Sequence, residues 1–356
     1  MTDVSKRFKV LLGAALVVLL VCGVWAYQIF FGSNTFSGAA EKIFYVSRGQ
    51  SFGSIVDSLE SQGIIRDRAL FVFVAKMYGG TSRLQVGKYM FKSGVSNADI
   101  FLAIRTGRGN SLIAVTIPEG ILARAQAKLF ARSIGIDSAR YVNLVYDEAF
   151  TRSLGIDSPS LEGYLIPETY GFYWEQDEKD VLRGVVDQFK HFYNDSLHAK
   201  AQEMGWTTNQ VLTLASIVEG EAVLSEERPI ISGVYHNRLR KGMRLEADPT
   251  IQFIFENGPR RVLYSDLLVD HPYNTYRNKG LPPGPVNNPG KASIVASLYP
   301  TQHAYLFFVA NGSGGHWFTR TYAEHQHYVR MFRKQRARNH SALLLRAENS
   351  KALKAN

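Results

Sequence analysis

TNQVLTLASIVEGEA, residues 208–222, reads as one helix that carries an acid where an acid is costly. Thr207 and Gln210 have the Thr-x-x-Gln spacing of a capping box, in which the hydroxyl and the amide satisfy free backbone N–H groups at a helix start. At about 100° per residue, Val211, Leu214, Ala215, Val218 and Ala222 fall on one stripe, and Leu212 and Glu219 stack together on its flank. Glu219 then leans over Leu212 and Ala215, while Glu221 projects from roughly the opposite side. An apolar surround disfavours an ionised carboxyl, and enzymes use such surrounds to keep a glutamate protonated as a general acid. Glu219 is the expected proton donor. The plainer alternative is a rim residue with its head in water, or one paired with Arg228 or Arg238.

The motifs that follow favour the first reading. They run Glu227-Arg228-Pro229, then Tyr235-His236-Asn237-Arg238-Leu239, then residues 242–250, Gly-Met-Arg-Leu-Glu-Ala-Asp-Pro-Thr. Next come Pro272-Tyr273-Asn274-Thr275-Tyr276, residues 280–285 (Gly-Leu-Pro-Pro-Gly-Pro) and Asn288-Pro289-Gly290. Upstream lies residues 161–170, Leu-Glu-Gly-Tyr-Leu-Ile-Pro-Glu-Thr-Tyr. With Ser216 to Glu221, this ordered set resembles the YceG-like (MltG) family of endolytic murein transglycosylases, densely from Leu161 to His325. Glu246 stands where many relatives carry glutamine and Glu168 where aspartate is common, so substrate detail is the part these departures put in question.

The chain has 356 residues, 46% of them hydrophobic, enough for two or three domains with packed cores. Its single cysteine, Cys22, excludes an intrachain disulfide and a cysteine zinc site. A net charge of +10 would suit nucleic acid, anionic lipid or acidic envelope polymers alike. The N-terminus decides among them. Residues 10–31 carry no charge and are long enough to cross a bilayer, with Trp25 and Tyr27 near one end. Lys6, Arg7 and Lys9 precede the run and no basic residue follows until Lys42, so the positive-inside bias leaves residues 1–9 in the cytoplasm. The expectation is a single-pass protein of a bacterial inner (cytoplasmic) membrane with its catalytic domain in the periplasm, and no nucleic-acid partner. A cleaved signal peptide ending at Ser37-Gly38-Ala39-Ala40 is the alternative, for which the apolar run is rather long.

The expected fold class is α+β: a transmembrane helix (10–31), a linker (32–42), a small module (43–110), a mixed α+β catalytic domain (111–335) and a basic tail (336–356). Within the module, a strand at 43–47, a helix capped by Ser51, a helix over 67–78, a strand at 87–91 and a helix over 96–106 are expected. That order resembles a divergent LysM-like module, a kind that holds N-acetylglucosamine chains; a packing domain that binds no sugar is the alternative. Further on, helices are expected over 123–133, 181–204, 229–242 and 250–256, with a proline- and glycine-rich loop over 273–290. A hairpin of 304–310 with 316–319 and a final helix from Tyr322, basic at Arg330, Arg333, Lys334, Arg336 and Arg338, complete the chain.

The resemblance implies a chemistry that needs one carboxylate. In a lytic transglycosylase the C6 hydroxyl of N-acetylmuramic acid attacks its own C1, leaving a 1,6-anhydro end. Glu219 would protonate the bridging oxygen between N-acetylmuramic acid and N-acetylglucosamine and then take the hydroxyl proton. The family's cut falls inside nascent glycan strands and implies a role in terminating strand elongation, with peptidoglycan strands as substrate and peptidoglycan synthases (penicillin-binding proteins) as partners. Glu221, Arg228, Asn237, Asp248, Tyr273, Asn274 and Tyr276 are the expected sugar-groove residues, each with a plainer role as cap, turn or packing group. No cofactor or metal is expected: His325 and His327 are two apart on a helix and point to different sides, unlike the His-x-x-x-His of zinc helices. A hydrolase would need a second carboxylate, from Glu221 or Asp248, and a non-catalytic peptidoglycan-binding scaffold of the synthesis machinery is the alternative from another class.

Overall fold

The computed structural model describes residues 2–255 and 260–336, and the chain divides into two compact units. One comprises residues up to 115 together with 132–136 and 171–177; the other holds the remainder. The end of the helix expected at 250–256 and the tail beyond 336, Arg338 included, fall outside the described residues.

The first unit begins with α1 (Thr2–Phe31), followed by β1 (Ser33–Asn34), β2 (Glu41–Val46), α2 (Phe52–Ser61), α3 (Arg68–Met77), β3 (Gly87–Lys92), β4 (Val95–Ser96) and α4 (Asn97–Thr106). In α1 the stretch Leu11–Phe31, of mean hydropathy 2.2 and with none of it buried, is long and apolar enough to cross a membrane. Strands β2 and β3 pair antiparallel from Glu41 opposite Lys92 to Val46 opposite Gly87. Alternation turns Phe44, Val46, Tyr89 and Phe91 inward, where they meet Ile55, Leu59, Phe71 and Phe101 from the helices. Ser51, Asp67 and Ser96 cap their helices through side-chain oxygens, as their positions in the sequence require. Residues 32–42, expected as a plain linker, instead carry β1, paired with β4, and the start of β2. The buried amide of Asn34 accounts for this, because it bonds the Val95 carbonyl and Asn97 Oδ1.

The remaining elements, in chain order, are β5 (Ile113–Thr116), α5 (Ala123–Ile134), α6 (Ser138–Val145), α7 (Glu148–Ser153), β6 (Thr169–Phe172), α8 (Glu178–Phe192), α9 (Asp195–Glu203), α10 (Thr208–Glu221), α11 (Arg228–Arg240), α12 (Asp248–Ile254), α13 (Lys291–Leu298), β7 (Phe307–Ala310) and β8 (His316–Thr319), with a last helix over 322–336. The single helix expected over 181–204 is two helices. The side chain of Asn194 accepts from the N–H groups of Ser196 and Leu197, which ends α8 and starts α9. The chain is thus a mixed helix-and-sheet protein. In the second unit α10 is the central post, packed on α9, α11, α12 and α13. The Thr207–Gln210 capping box forms as expected. The narrow apolar stripe does not, since every residue from Val211 to Val218 is buried, Thr213 and Ser216 among them. Those two hydroxyls are affordable there because Thr213 donates to the Asn209 carbonyl and Ser216 to that of Thr213, while Ser216 also accepts from Val286 N–H.

Candidate active site

Glu219 lies in the last turn of α10, and its side chain is 6% exposed. Donors grip the carboxyl at both oxygens. Oε1 lies 3.2 Å from Arg228 Nη2, and Oε2 accepts from Gly290 N–H at 3.0 Å and from the Ser293 hydroxyl at 2.7 Å. Each donor is placed by backbone geometry. Arg228 opens α11 with Pro229 beside it, a position where a proline's missing N–H costs nothing. Gly290 is the N-cap residue of α13 and Ser293 sits in its first turn, so the carboxyl rests at a helix N-terminus, where backbone dipoles favour negative charge. A Cβ at Gly290 would sit 2.3 Å from Glu119 Oε1, so any larger residue there would push the exposed Glu119 side chain aside. The surround is therefore dry, as the helix pattern implies, but polar rather than apolar.

Arg228 is itself anchored, with its side chain 8% exposed. Nε donates to the Ser293 hydroxyl at 3.0 Å, Nη1 to the Ser225 hydroxyl at 2.8 Å, and Nη2 also reaches Glu119 Oε2 at 3.2 Å. One guanidinium nitrogen thus serves two carboxylates, and Glu119, 51% exposed, is the one open to solvent. Just behind Arg228, Glu227 accepts from His316 N–H at 2.8 Å and contacts its Nδ1 at 2.6 Å, which ties the β7–β8 hairpin to the start of α11.

A second acidic cluster lies on the other side of Gly220. Glu221 accepts from the Tyr235 hydroxyl at 3.2 Å, and Tyr276 donates its hydroxyl to Asp248 at 2.6 Å. Burial, and then the neighbouring Asp248 carboxylate, push the Glu221 carboxyl up to about 7. Close by, Arg238 pairs with Glu246, a non-glycine residue at φ +50°.

Between these clusters opens a cleft of about 610 Å³, bordered by Gly120, Ile121, Gly220, Asp248, Phe253 and Asn287 among others. The Cβ position of Gly120 is 3.4 Å from Glu219 Cγ, so the cleft begins beside that residue. Its rim is held by Glu162 and Asn288. Glu162 accepts from Ala123 N–H (3.0 Å), Asn288 Nδ2 (2.7 Å) and the Tyr146 hydroxyl (2.7 Å), and burial raises its pKa. Asn288 Oδ1 takes the N–H groups of Gly163 and Leu165, and its carbonyl takes that of Gly120. These bonds fix the 119–122 loop against the 286–290 segment that presents Gly290.

Of the residues singled out from sequence, the structure brings Arg228 to Glu219, and Glu221, Asp248 and Tyr276 to one another on the cleft's flank. Tyr273 packs against Phe253 with tilted rings, centroids 4.5 Å apart. Asn237 and Asn274 are not brought to Glu219. Asn237 spends its amide on the carbonyls of His303 and Tyr305, and Asn274 on those of Leu267 and Val269. Sequence reasoning passed over Glu119, Glu162 and Ser293. Glu162 sits in a stretch quoted for another reason, Glu119 in the short Pro118-Glu119-Gly120 turn, and Ser293 in a helix with no side-chain cap or amphipathic stripe.

A single oriented carboxyl, fixed by donors from two other helices beside a cleft, defines the class of site. The model of the YceG-like family matches residues 44–331, so the chain belongs to that family. It is 31% identical over 295 residues to an endolytic murein transglycosylase of Bacillus subtilis, covering 79% of this chain and 81% of that one. An endolytic murein transglycosylase of Streptococcus pneumoniae is 27% identical over 346 residues, which is 87% of this chain and 62% of that longer one. The crystal structure of a yceG-like protein from Listeria monocytogenes superposes with a TM-score of 0.58 at 29% identity, covering 81% of this chain and 98% of that one.

Proposed function

We propose that this chain is a membrane-anchored lytic transglycosylase that cuts murein strands internally, with Glu219 as acid and then base. The observation that carries this reading is the hold on Glu219: a side chain 6% exposed, oriented at both oxygens and placed beside a cleft. In the first half-step the proton on Glu219 goes to the bridging oxygen and the C1–O bond breaks. In the second, the muramic acid C6 oxygen bonds to C1 and its proton returns to Glu219, so the residue ends as it began. The second half-step needs an acceptor, which is how the carboxyl is bonded here. The first needs a donor, and the rotatable Ser293 hydroxyl, which already accepts from Arg228 Nε, can turn to accept from a protonated Glu219. The intramolecular nucleophile supplies the effective-molarity advantage.

Asp248 and Tyr276 would read sugar hydroxyls from the cleft, and Arg228 would orient the acid. Residues 1–9 would lie in the cytoplasm and the folded units in the periplasm, as the basic residues in the first turns of α1, ahead of the apolar span, favour. The strand, two helices and strand of residues 41–92 support the LysM-like reading of the small module. Strand termination beside a peptidoglycan synthase is the cellular role this assigns. The test is mass spectrometry of products after the full-length protein, in detergent, meets uncrosslinked strands, beside the Glu219→Gln variant. Anhydro ends from the parent alone are expected. Reducing ends would replace the reading with a hydrolase, and intact strands bound by folded protein would replace it with a scaffold.

A further inference from the structure

The cleft beside Glu219 continues past the groups that would handle sugar. Its wall on α5 carries Arg124 and Lys128, and the same two side chains line a second hollow of about 300 Å³ closed on its other side by Ser138, Val142 and Asn143 of α6. Arg124 and Lys128 are four residues apart on α5 and so share one face. Arg124 is half-buried and oriented, giving Nη2 to the Phe255 carbonyl at 2.8 Å. Lys128 is exposed. Among the described residues neither has a carboxylate within ion-pair distance, although paired arginines and lysines are common elsewhere in the chain. Asp248, the acid on this cleft, sits at its other end and is engaged by Tyr276. Between the basic pair and Glu219 the floor is apolar, from Ile121, Leu122, Ala125 and Phe253.

Two cations with no ion-pair partner among the described residues, on a branch leading away from the cutting residue, have no use for the sugars of a peptide-bearing murein strand, whose lactyl carboxyls are tied up in the amide bond to the peptide. The strand's anions are the carboxylates of the short, alanine-rich peptides that hang from muramic acid, and alanine methyls suit the apolar floor. We propose that the Arg124–Lys128 branch is a subsite for this acidic peptide stem, so that the chain selects peptide-bearing strands over bare ones. The inference rests on the glycan-cleaving reading above, and it names what that site requires of its substrate.

The experiment compares full-length protein on uncrosslinked strands with their peptides intact and on the same strands stripped by an amidase, with the freed lactyl carboxylates then capped as amides. The parent is expected to have kcat/KM about fivefold or more higher on peptide-bearing strands. Lys128→Glu should cut that ratio about fivefold through KM, the scale on which one partly exposed charge acts, with kcat nearly unmoved; Arg124→Gln should act in the same direction. Because Arg124 also holds the 255 backbone, the exposed Lys128 carries the test if that variant unfolds. A parent ratio of one, or a ratio unchanged in Lys128→Glu, overturns the subsite. If the parent cleaves neither strand, the glycosidic reading has failed. The subsite is then judged by calorimetry of a disaccharide–tetrapeptide binding to Glu219→Gln: weaker binding when Lys128→Glu is added supports it, and equal binding overturns it.

Discussion

Glu221→Gln should make the protein more stable at neutral and alkaline pH while leaving it nearly unchanged in mild acid. Glu221 titrates at about 7 in the folded chain against an ordinary value of 4.5. The unfolded chain gives up this proton between those two values while the folded chain keeps it, so the group's contribution falls as pH rises through the window and is fully present only below 4.5. A gap of that size costs the ionised state up to about 3 kcal/mol, with each pKa unit worth about 1.4 kcal/mol; the linkage relation gives roughly 1 kcal/mol at pH 5 and roughly 3 kcal/mol at pH 8. Glutamine keeps an oxygen for the Tyr235 hydroxyl and turns an amide rather than a second anion toward Asp248. Urea denaturation of parent and variant at pH 5, 6, 7 and 8 isolates this group, because other titrations cancel in the difference. The variant's advantage should grow by about 2 kcal/mol across the series, and Asp248→Asn should reproduce part of it. A difference that stays flat from pH 5 to pH 8 would refute the reasoning.

Arg228→Met should cost about 3 kcal/mol, the usual penalty for stranding a buried carboxylate, and adding Glu219→Gln should recover most of it; thermal unfolding of the two singles and the double variant checks the coupling, which a purely additive result would deny. Gly220→Ala should destabilise by about 1–3 kcal/mol even though alanine is the better helix former. A Cβ at residue 220 would lie 2.5 Å from Pro249 Cγ, pushing the start of α12 and Asp248 outward; a raised melting temperature would show that Pro249 gives way freely.

What the sequence made legible were local devices, each using residues close in the chain. The Thr207–Gln210 box, the cap at Ser51 and the 307–319 hairpin all form because their hydrogen bonds close within a few residues. Asn194 was equally local, but the apolar spacing on both sides of it outweighed one cap. Helix α13 was hidden because Lys-Ala-Ser-Ile-Val-Ala-Ser-Leu is buried on nearly every side and has a glycine at its start, leaving neither a stripe nor a side-chain cap. Helix geometry found Glu219 and its burial but misjudged its surroundings. The groups that surround it, apart from Arg228, come from residues 119, 290 and 293, far off in sequence and set by loop closure, where no periodicity reaches. Glu221 went the other way. On a helix wheel it projects from roughly the side opposite Glu219, and there α11 and the start of α12 cover it, through Tyr235 and Asp248.

The division of labour between the two acids of α10 follows from the single glycine between them. Gly220 lets Pro249 close against the helix, which places Asp248 beside Glu221 and raises the energy of a charge there. Glu219, one residue before Gly220, meets a guanidinium, a helix N-terminus and a hydroxyl. In the proposed cycle Glu219 gives and regains a proton in one turnover, which calls for fixed dipoles that are in place before the reaction begins, since reorienting them during it would add to the barrier. Those dipoles are supplied by α11 and α13, which pack directly on α10. A helix buried from Val211 to Val218 is therefore a natural seat for the proposed acid, and the loops at 119–122 and 286–290 can shape the cleft without disturbing it.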